Sequence, residues 1–142
     1  MKKCFVLLVV FVFMLPLLAL SQVWHQANQK IVGWDAVTTL DDGLPIPAGE
    51  TIRYQVYIAR KDGSKDNKVN MGNTTEPQFL ITFTMEGEWF IGIETERLNS
   101  SGELVAKSSV AWSDNPTYCL NGETFGVVYI ILPSCISNMR TQ

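Results

Sequence analysis

Four aromatic residues, Tyr57, Phe90, Trp112 and Tyr118, occupy positions where this sequence otherwise places polar side chains. Tyr57 and Phe90 fall on the polar side of alternating segments. Trp112 and Tyr118 fall in or beside a turn-rich connection. Exposed aromatic rings stack on sugar rings and anchor protein interfaces. The chemistry they offer is binding rather than bond breaking. The competing role for Tyr57 and Phe90 is to cover a sheet edge or dock a C-terminal strand.

The other reactive residue types are sparse. His25 is the only histidine, and nothing in the sequence marks a nucleophile to go with it. A zinc site needs three or four His, Cys or acidic ligands, which one His and two widely spaced Cys do not supply. "DGSKDN" at 62–67 has oxygen side chains at alternate positions but lacks the sixth-position glycine and terminal Glu of a calcium loop. It reads as a solvated turn, and Asp41-Asp42 likewise. Glu94 and Glu96 share one side of a strand, which predicts a solvated sheet face rather than a carboxylate pair across a cleft. The sequence therefore calls for no cofactor, no metal and no catalytic residue.

These residues must be held by strands. "TIRYQVYIAR" at 51–60 alternates, with Ile52, Tyr54, Val56 and Ile58 on one side and Arg53, Gln55, Tyr57 and Ala59 on the other. In 78–83, Phe79, Ile81 and Phe83 share a side. In 89–97, Trp89, Ile91 and Ile93 point inward, and Phe90, Gly92 and Glu94 outward. Residues 30–37, 104–112 and 125–132 are further strand candidates, and 68–71 a short edge strand. Turn signals at Asp41-Asp42-Gly43, 45–49, 61–67 and 99–103 separate them. Strands with one apolar side must bury it against a second sheet, which predicts an all-β sandwich. The same alternation assigns Trp34 and Tyr54 to the core rather than to a ligand platform. The expected core is Trp34, Tyr54, Val56, Phe79, Ile81, Trp89, Ile91 and Ile93.

The N-terminus is a separate matter. Two lysines precede an almost unbroken apolar run at 4–20, followed by small residues, which is the pattern of a signal-peptide helix over 1–21. An uncleaved anchor is the alternative, and the only membrane contact expected. Without Lys2 and Lys3, nine basic residues face fourteen acidic ones, a net charge of −5. That balance speaks against a nucleic-acid partner. Cys119 and Cys135 form an even pair in an exported chain, so a disulfide is one reading and two free thiols the other. A bridge would contribute about 3 kcal/mol in the chain-entropy picture. Asn73-Thr74-Thr75 and Asn99-Ser100-Ser101 are glycosylation sequons, relevant only in a host that glycosylates.

Four stretches together resemble a fibronectin type III domain, an immunoglobulin-like sandwich. They are "IVGWDAV" around Trp34, "YQVYI" at 54–58, "PQFLITF" followed by Trp89, and "WFIGIETER" followed by Gly102-Glu103. The resemblance covers residues 29–112 and extends to 132. It implies a two-sheet antiparallel sandwich of about seven strands over 22–132, then a linker-like tail at 133–142. "LPSCISNMRTQ" resembles the linker and opening strand of a second such domain. Trp89 departs from the pattern, standing where the family usually has a tyrosine whose hydroxyl closes a corner. Strand G is placed at 125–132, with "SDNPTYCLNGE" as an insertion before it.

By this resemblance the chain is expected to be a secreted or cell-envelope, non-catalytic module. It would act as a monomeric spacer or protein-interaction domain. The alternative is a carbohydrate-binding module that takes a polysaccharide on Tyr57, Phe90, Trp112 and Tyr118.

Overall fold

The computed structural model describes residues 22–132. The expected signal segment at 1–21 and the tail at 133–142, with Cys135, lie outside the described residues. So does the pairing of Cys119 with Cys135. Among the described residues Cys119 carries a free thiol, which donates to the Ser113 carbonyl at 3.3 Å.

Nine strands form, with three single-turn 3₁₀ segments and no α-helix among the described residues. They are β1 (Val23–Gln26), β2 (Gln29–Gly33), β3 (Thr51–Arg60), β4 (Val69–Thr74), β5 (Gln78–Thr82), β6 (Gly87–Leu98), β7 (Leu104–Lys107), β8 (Ala111–Trp112) and β9 (Phe125–Tyr129). Seven make one sheet, in the order β1-β9-β6-β3-β4, with β7 and β8 also paired to β6. β2 and β5 make a second, two-stranded sheet.

β6 is the hub of the larger sheet. One edge pairs antiparallel with all of β3, from Thr51 opposite Leu98 to Arg60 opposite Trp89. The other edge is shared by three segments in turn. β9 takes Gly87 to Trp89, β8 takes Gly92 and Ile93, and β7 takes Glu96 to Leu98. The expected strand at 104–112 is thus two short strands. Between them Ser108 turns its groups back to Thr95: its N–H donates to the Thr95 carbonyl and its hydroxyl accepts the Thr95 N–H. The expected strand at 125–132 stops at Tyr129.

Two further expectations are corrected. The sheets are not purely antiparallel, because β1 pairs parallel with β9, from Val23 opposite Phe125 to Gln26 opposite Val128. His25 therefore sits half-buried inside a strand, edge-on to Phe125. The strand expected at 30–37 ends at Gly33, where the Trp34 N–H donates to the Pro77 carbonyl.

The two sheets share one core. Val32, Ile81 and Phe83 contribute from the β2–β5 side, and Val56, Ile58, Trp89, Ile91 and Val127 from the larger sheet. Val56, Ile81 and Val127 have no exposed surface, and burying each stabilises by about 1.5–3 kcal/mol. Of the residues the alternation assigns to the core, Tyr54, Val56, Ile81, Trp89 and Ile91 are buried. Trp34, Phe79 and Ile93 are half-buried against the cluster. Trp34 meets Tyr54 edge-on at 5.1 Å, and the Tyr54 hydroxyl accepts the Val37 N–H at 2.8 Å. The Trp89 indole N–H closes the β5–β6 turn by donating to the Met85 carbonyl at 3.2 Å.

Candidate functional site

The side of the larger sheet away from this core carries the candidate residues. Strand alternation puts Arg53, Gln55, Tyr57 and Ala59 of β3 there. Their partners on β6 are Glu96, Glu94, Gly92 and Phe90, in that order. Trp112 of β8 stands opposite Gly92, and Trp24 of β1 opposite Gly126. Tyr57, Phe90 and Trp112 therefore share one face, joined by Trp24. Tyr118 does not join them. It is exposed, in the 3₁₀ turn Pro116–Tyr118 that follows β8.

Both indoles are seated on glycines. A Cβ at Gly92 would lie 2.7 Å from Val110 Cγ1 and 2.8 Å from Trp112 Cζ3. A Cβ at Gly126 would collide with the Trp24 ring. Glycine inside a strand often marks such a close approach. The Trp24 ring in turn covers Phe90, at 5.6 Å between centroids. Phe90 is consequently 7 % exposed and offers no stacking surface, which corrects its assignment as an exposed contact residue.

Lysines lie over these rings. Lys61 Nζ is 4.7 Å from the Trp24 centroid, Lys68 Nζ 5.0 Å from Tyr57, and Lys65 Nζ 5.3 Å from Trp112 and 5.8 Å from Phe90. All three come from the β3–β4 connection. Its 3₁₀ turn Lys65–Asn67 is capped by the Ser64 side chain, which accepts the Asp66 N–H. A cation over a ring face is worth about 0.5–1 kcal/mol at exposed sites. Lys65 is also gripped by both Asp114 carboxylate oxygens, at 2.6 and 2.7 Å, and Lys61 by Glu88 at 2.8 Å.

The other half of the face is an ionic network. The Tyr57 hydroxyl donates to Glu94 Oε2 at 2.9 Å, and Lys107 Nζ lies 2.9 Å from Glu94 Oε1. Arg53 pairs with Glu96 at 2.7 Å, and Gln55 Nε2 donates to Asn70 Oδ1 and the Gly72 carbonyl. Glu94 is 4 % exposed, so the solvated face expected at Glu94 and Glu96 is instead a covered carboxylate with its oxygens paired. Burial pushes Glu94 up, but hydrogen bonds from Lys107 and Tyr57 and the charges of Lys107 and Lys68 outweigh it. Its carboxyl sits below the ordinary value. Burial, the hydrogen bond to Glu94 and the charges of Glu94 and Glu96 push Tyr57 up to about 12. The hydrogen bond to Glu94 also raises Lys107. Tyr57 thus stays protonated and Glu94 ionised near neutrality.

A cleft of about 370 Å³ lies elsewhere, between β4 and the smaller sheet, lined by Ile31, Asn73, Thr74, Glu76, Gln78, Phe79 and Leu80. It holds a single carboxylate. Among the described residues no three His, Cys, Asp or Glu side chains gather in a metal-binding group.

Sequence reasoning missed Trp24 and the four lysines. The glycines at 92 and 126 were the available signal for the seated indoles. No family model, curated protein or solved structure matches the chain.

Proposed function

We propose that this chain is an exported, non-catalytic module of the fibronectin type III, immunoglobulin-like kind that binds protein through the outer face of its larger sheet. The fold part of this reading is supported by the arrangement of β9, β6, β3 and β4 in one sheet and β2 with β5 in the other, around a common core. Export is supported by the basic-then-apolar N-terminal sequence.

One observation carries the functional part. Aromatic rings, lysines and carboxylates on this face are already locked together before any partner arrives. A preorganised surface loses little side-chain freedom on docking, and aromatic and cationic side chains supply the anchoring contacts. The test is site-specific photo-crosslinking in the producing cells, from a photoreactive residue at Lys107 and from a control at exposed Thr38. A discrete protein adduct from position 107 alone is expected. Equal labelling from both positions, or none, overturns the reading.

The second reading, a carbohydrate-binding module, draws on Tyr57, Trp112 and Trp24 sharing one face. It requires Lys61, Lys65 and Lys68 to leave the rings before a sugar can stack. A glycan array with Trp112→Ala as control tests it: binding lost in the variant supports it, and no binding by the native protein removes it.

A further inference from the structure

The turn Leu120–Gly122 is the least secured of the three 3₁₀ segments. Ser64 caps Lys65–Asn67 and Asn115 caps Pro116–Tyr118, each with a side-chain oxygen that accepts a backbone N–H. Among the described residues no side chain caps Leu120–Gly122, and none of its residues is buried. Two backbone bonds close it, from the Gly122 N–H to the Cys119 carbonyl at 2.9 Å and from the Glu123 N–H to the Leu120 carbonyl at 3.1 Å. Its middle residue, Asn121, has φ 56° and ψ 15°. Among the described residues it is the only one other than glycine with a positive φ. A turn held by so few bonds, around a left-handed residue, opens locally without disturbing the core.

Asn121 is also the only asparagine in the chain followed by glycine. Asn70, Asn99 and Asn115 have their side-chain oxygens engaged by backbone N–H groups. Asn121 is exposed. Gly122 sets no Cβ beside the Asn121 side chain, and its backbone reorients without steric cost. The Gly122 nitrogen is thus an unshielded nucleophile tethered next to an amide carbon, and such a pair reacts far faster than separate molecules do.

We propose that Asn121 is a site of spontaneous modification, where asparagine is converted to aspartate and isoaspartate through a succinimide. Opening of the turn releases the Gly122 N–H from the Cys119 carbonyl. The Gly122 nitrogen gives its proton to hydroxide and bonds to Asn121 Cγ. The Cγ–Nδ2 bond breaks, and Nδ2 leaves as ammonia after taking a proton from water. Water then opens the ring. Cleavage between Cγ and the Gly122 nitrogen gives aspartate. Cleavage between the backbone carbonyl carbon and that nitrogen gives isoaspartate, in which the main chain runs through Cβ. One water is consumed and one ammonia released, with no oxidant and no cofactor.

Either product places a new carboxylate next to exposed Glu123 in the chain. Isoaspartate also lengthens the main chain by one carbon inside the turn, so the bond from Gly122 to Cys119 does not re-form at its present spacing. The change falls between Tyr118 and Phe125, where the Ser113 carbonyl accepts both the Cys119 thiol and the Phe125 N–H. It is independent of the outer face of the larger sheet, and crosslinking from Lys107 does not report on it.

The test is to age the purified protein in mildly alkaline buffer. The products are read by peptide mass spectrometry and by labelling with isoaspartyl methyltransferase, which methylates the isoaspartyl carboxylate. Conversion should appear in the peptide that holds Asn121, with isoaspartate in excess of aspartate, while Asn73 and Asn99 stay intact over the same period. Urea below the unfolding transition should leave the rate unchanged, because the opening is local. Gly122→Ala should slow conversion about tenfold or more. Asn121→Ser should abolish the label on that peptide. Native protein that stays intact at Asn121 overturns the proposal. Conversion at Asn73 or Asn99 at an equal rate also overturns it, as does a rate that rises only through the unfolding transition. The measurement on native protein decides the matter even if Gly122→Ala disturbs the turn.

Discussion

Trp112 rests directly on Gly92 across the β6–β8 pair, leaving no room for a methyl group between ring and backbone. Gly92→Ala would ordinarily help a strand by restricting the unfolded chain. Here the new Cβ meets Val110 and the indole at 2.7–2.8 Å. Overpacking of this kind costs about 1–3 kcal/mol. Urea unfolding should show that loss, and the double variant Gly92→Ala/Trp112→Ala should cost less than the sum of the single variants.

Tyr57 should titrate late. Its phenol is pushed up to about 12, against an ordinary value of 10.0. Absorbance at the phenolate band should therefore show a tyrosine ionising well above the ordinary value, and Glu94→Gln should move it down. A folded pKa above the unfolded one means stability is fully present below about 10 and is lost as pH rises toward about 12. The alkaline limb of the stability curve should flatten in Tyr57→Phe.

Glu94 works in the opposite direction. Its folded pKa lies below the ordinary 4.5. Its contribution is present above that value and is lost as pH falls through the folded pKa. Glu94→Gln should flatten the acid limb of a stability profile measured by denaturant titration. At neutral pH, Tyr57→Phe should cost about 1–3 kcal/mol, because a buried carboxylate oxygen loses its donor.

Trp24→Ala should uncover Phe90 and empty the space over Gly126. A cost of roughly 2 kcal/mol is expected from the lost burial and ring contact. The stronger signature is spectroscopic: Lys61 loses its ring, and amide exchange across the β1–β9 ladder should quicken. Trp34→Ala removes a half-buried ring from beside Tyr54, and about 3 kcal/mol is the expected loss.

The strands with a clean period of two, β3, β5 and β6, were legible in the sequence. So was the division of Tyr54, Val56, Ile81, Trp89 and Ile91 to one side. Periodicity reports which side a residue takes, and it cannot report what else covers that side. Phe90 and Glu94 were placed on the correct face and given the wrong exposure, because Trp24 and Lys107 reach them from other strands. β1 carried no usable local signal. Four residues without alternation pair with β9 near the far end of the chain, and that pairing is decided by tertiary packing. The break between β7 and β8 depends on Ser108 bonding back to Thr95, a contact invisible to any window of sequence. Tyr118 was grouped with the other aromatics only because it lies near Trp112 along the chain.

The parallel pairing of β1 with β9 has a mechanical consequence. The chain enters this ladder at Val23, beside Phe125, and leaves it beyond Tyr129 at the opposite end. Tension applied between residues 22 and 130 therefore acts along the strands. It loads the ladder in shear, so the inter-strand bonds must yield together rather than peel apart one by one. A domain drawn along its length would be held shut at the seam that joins its first and last strands.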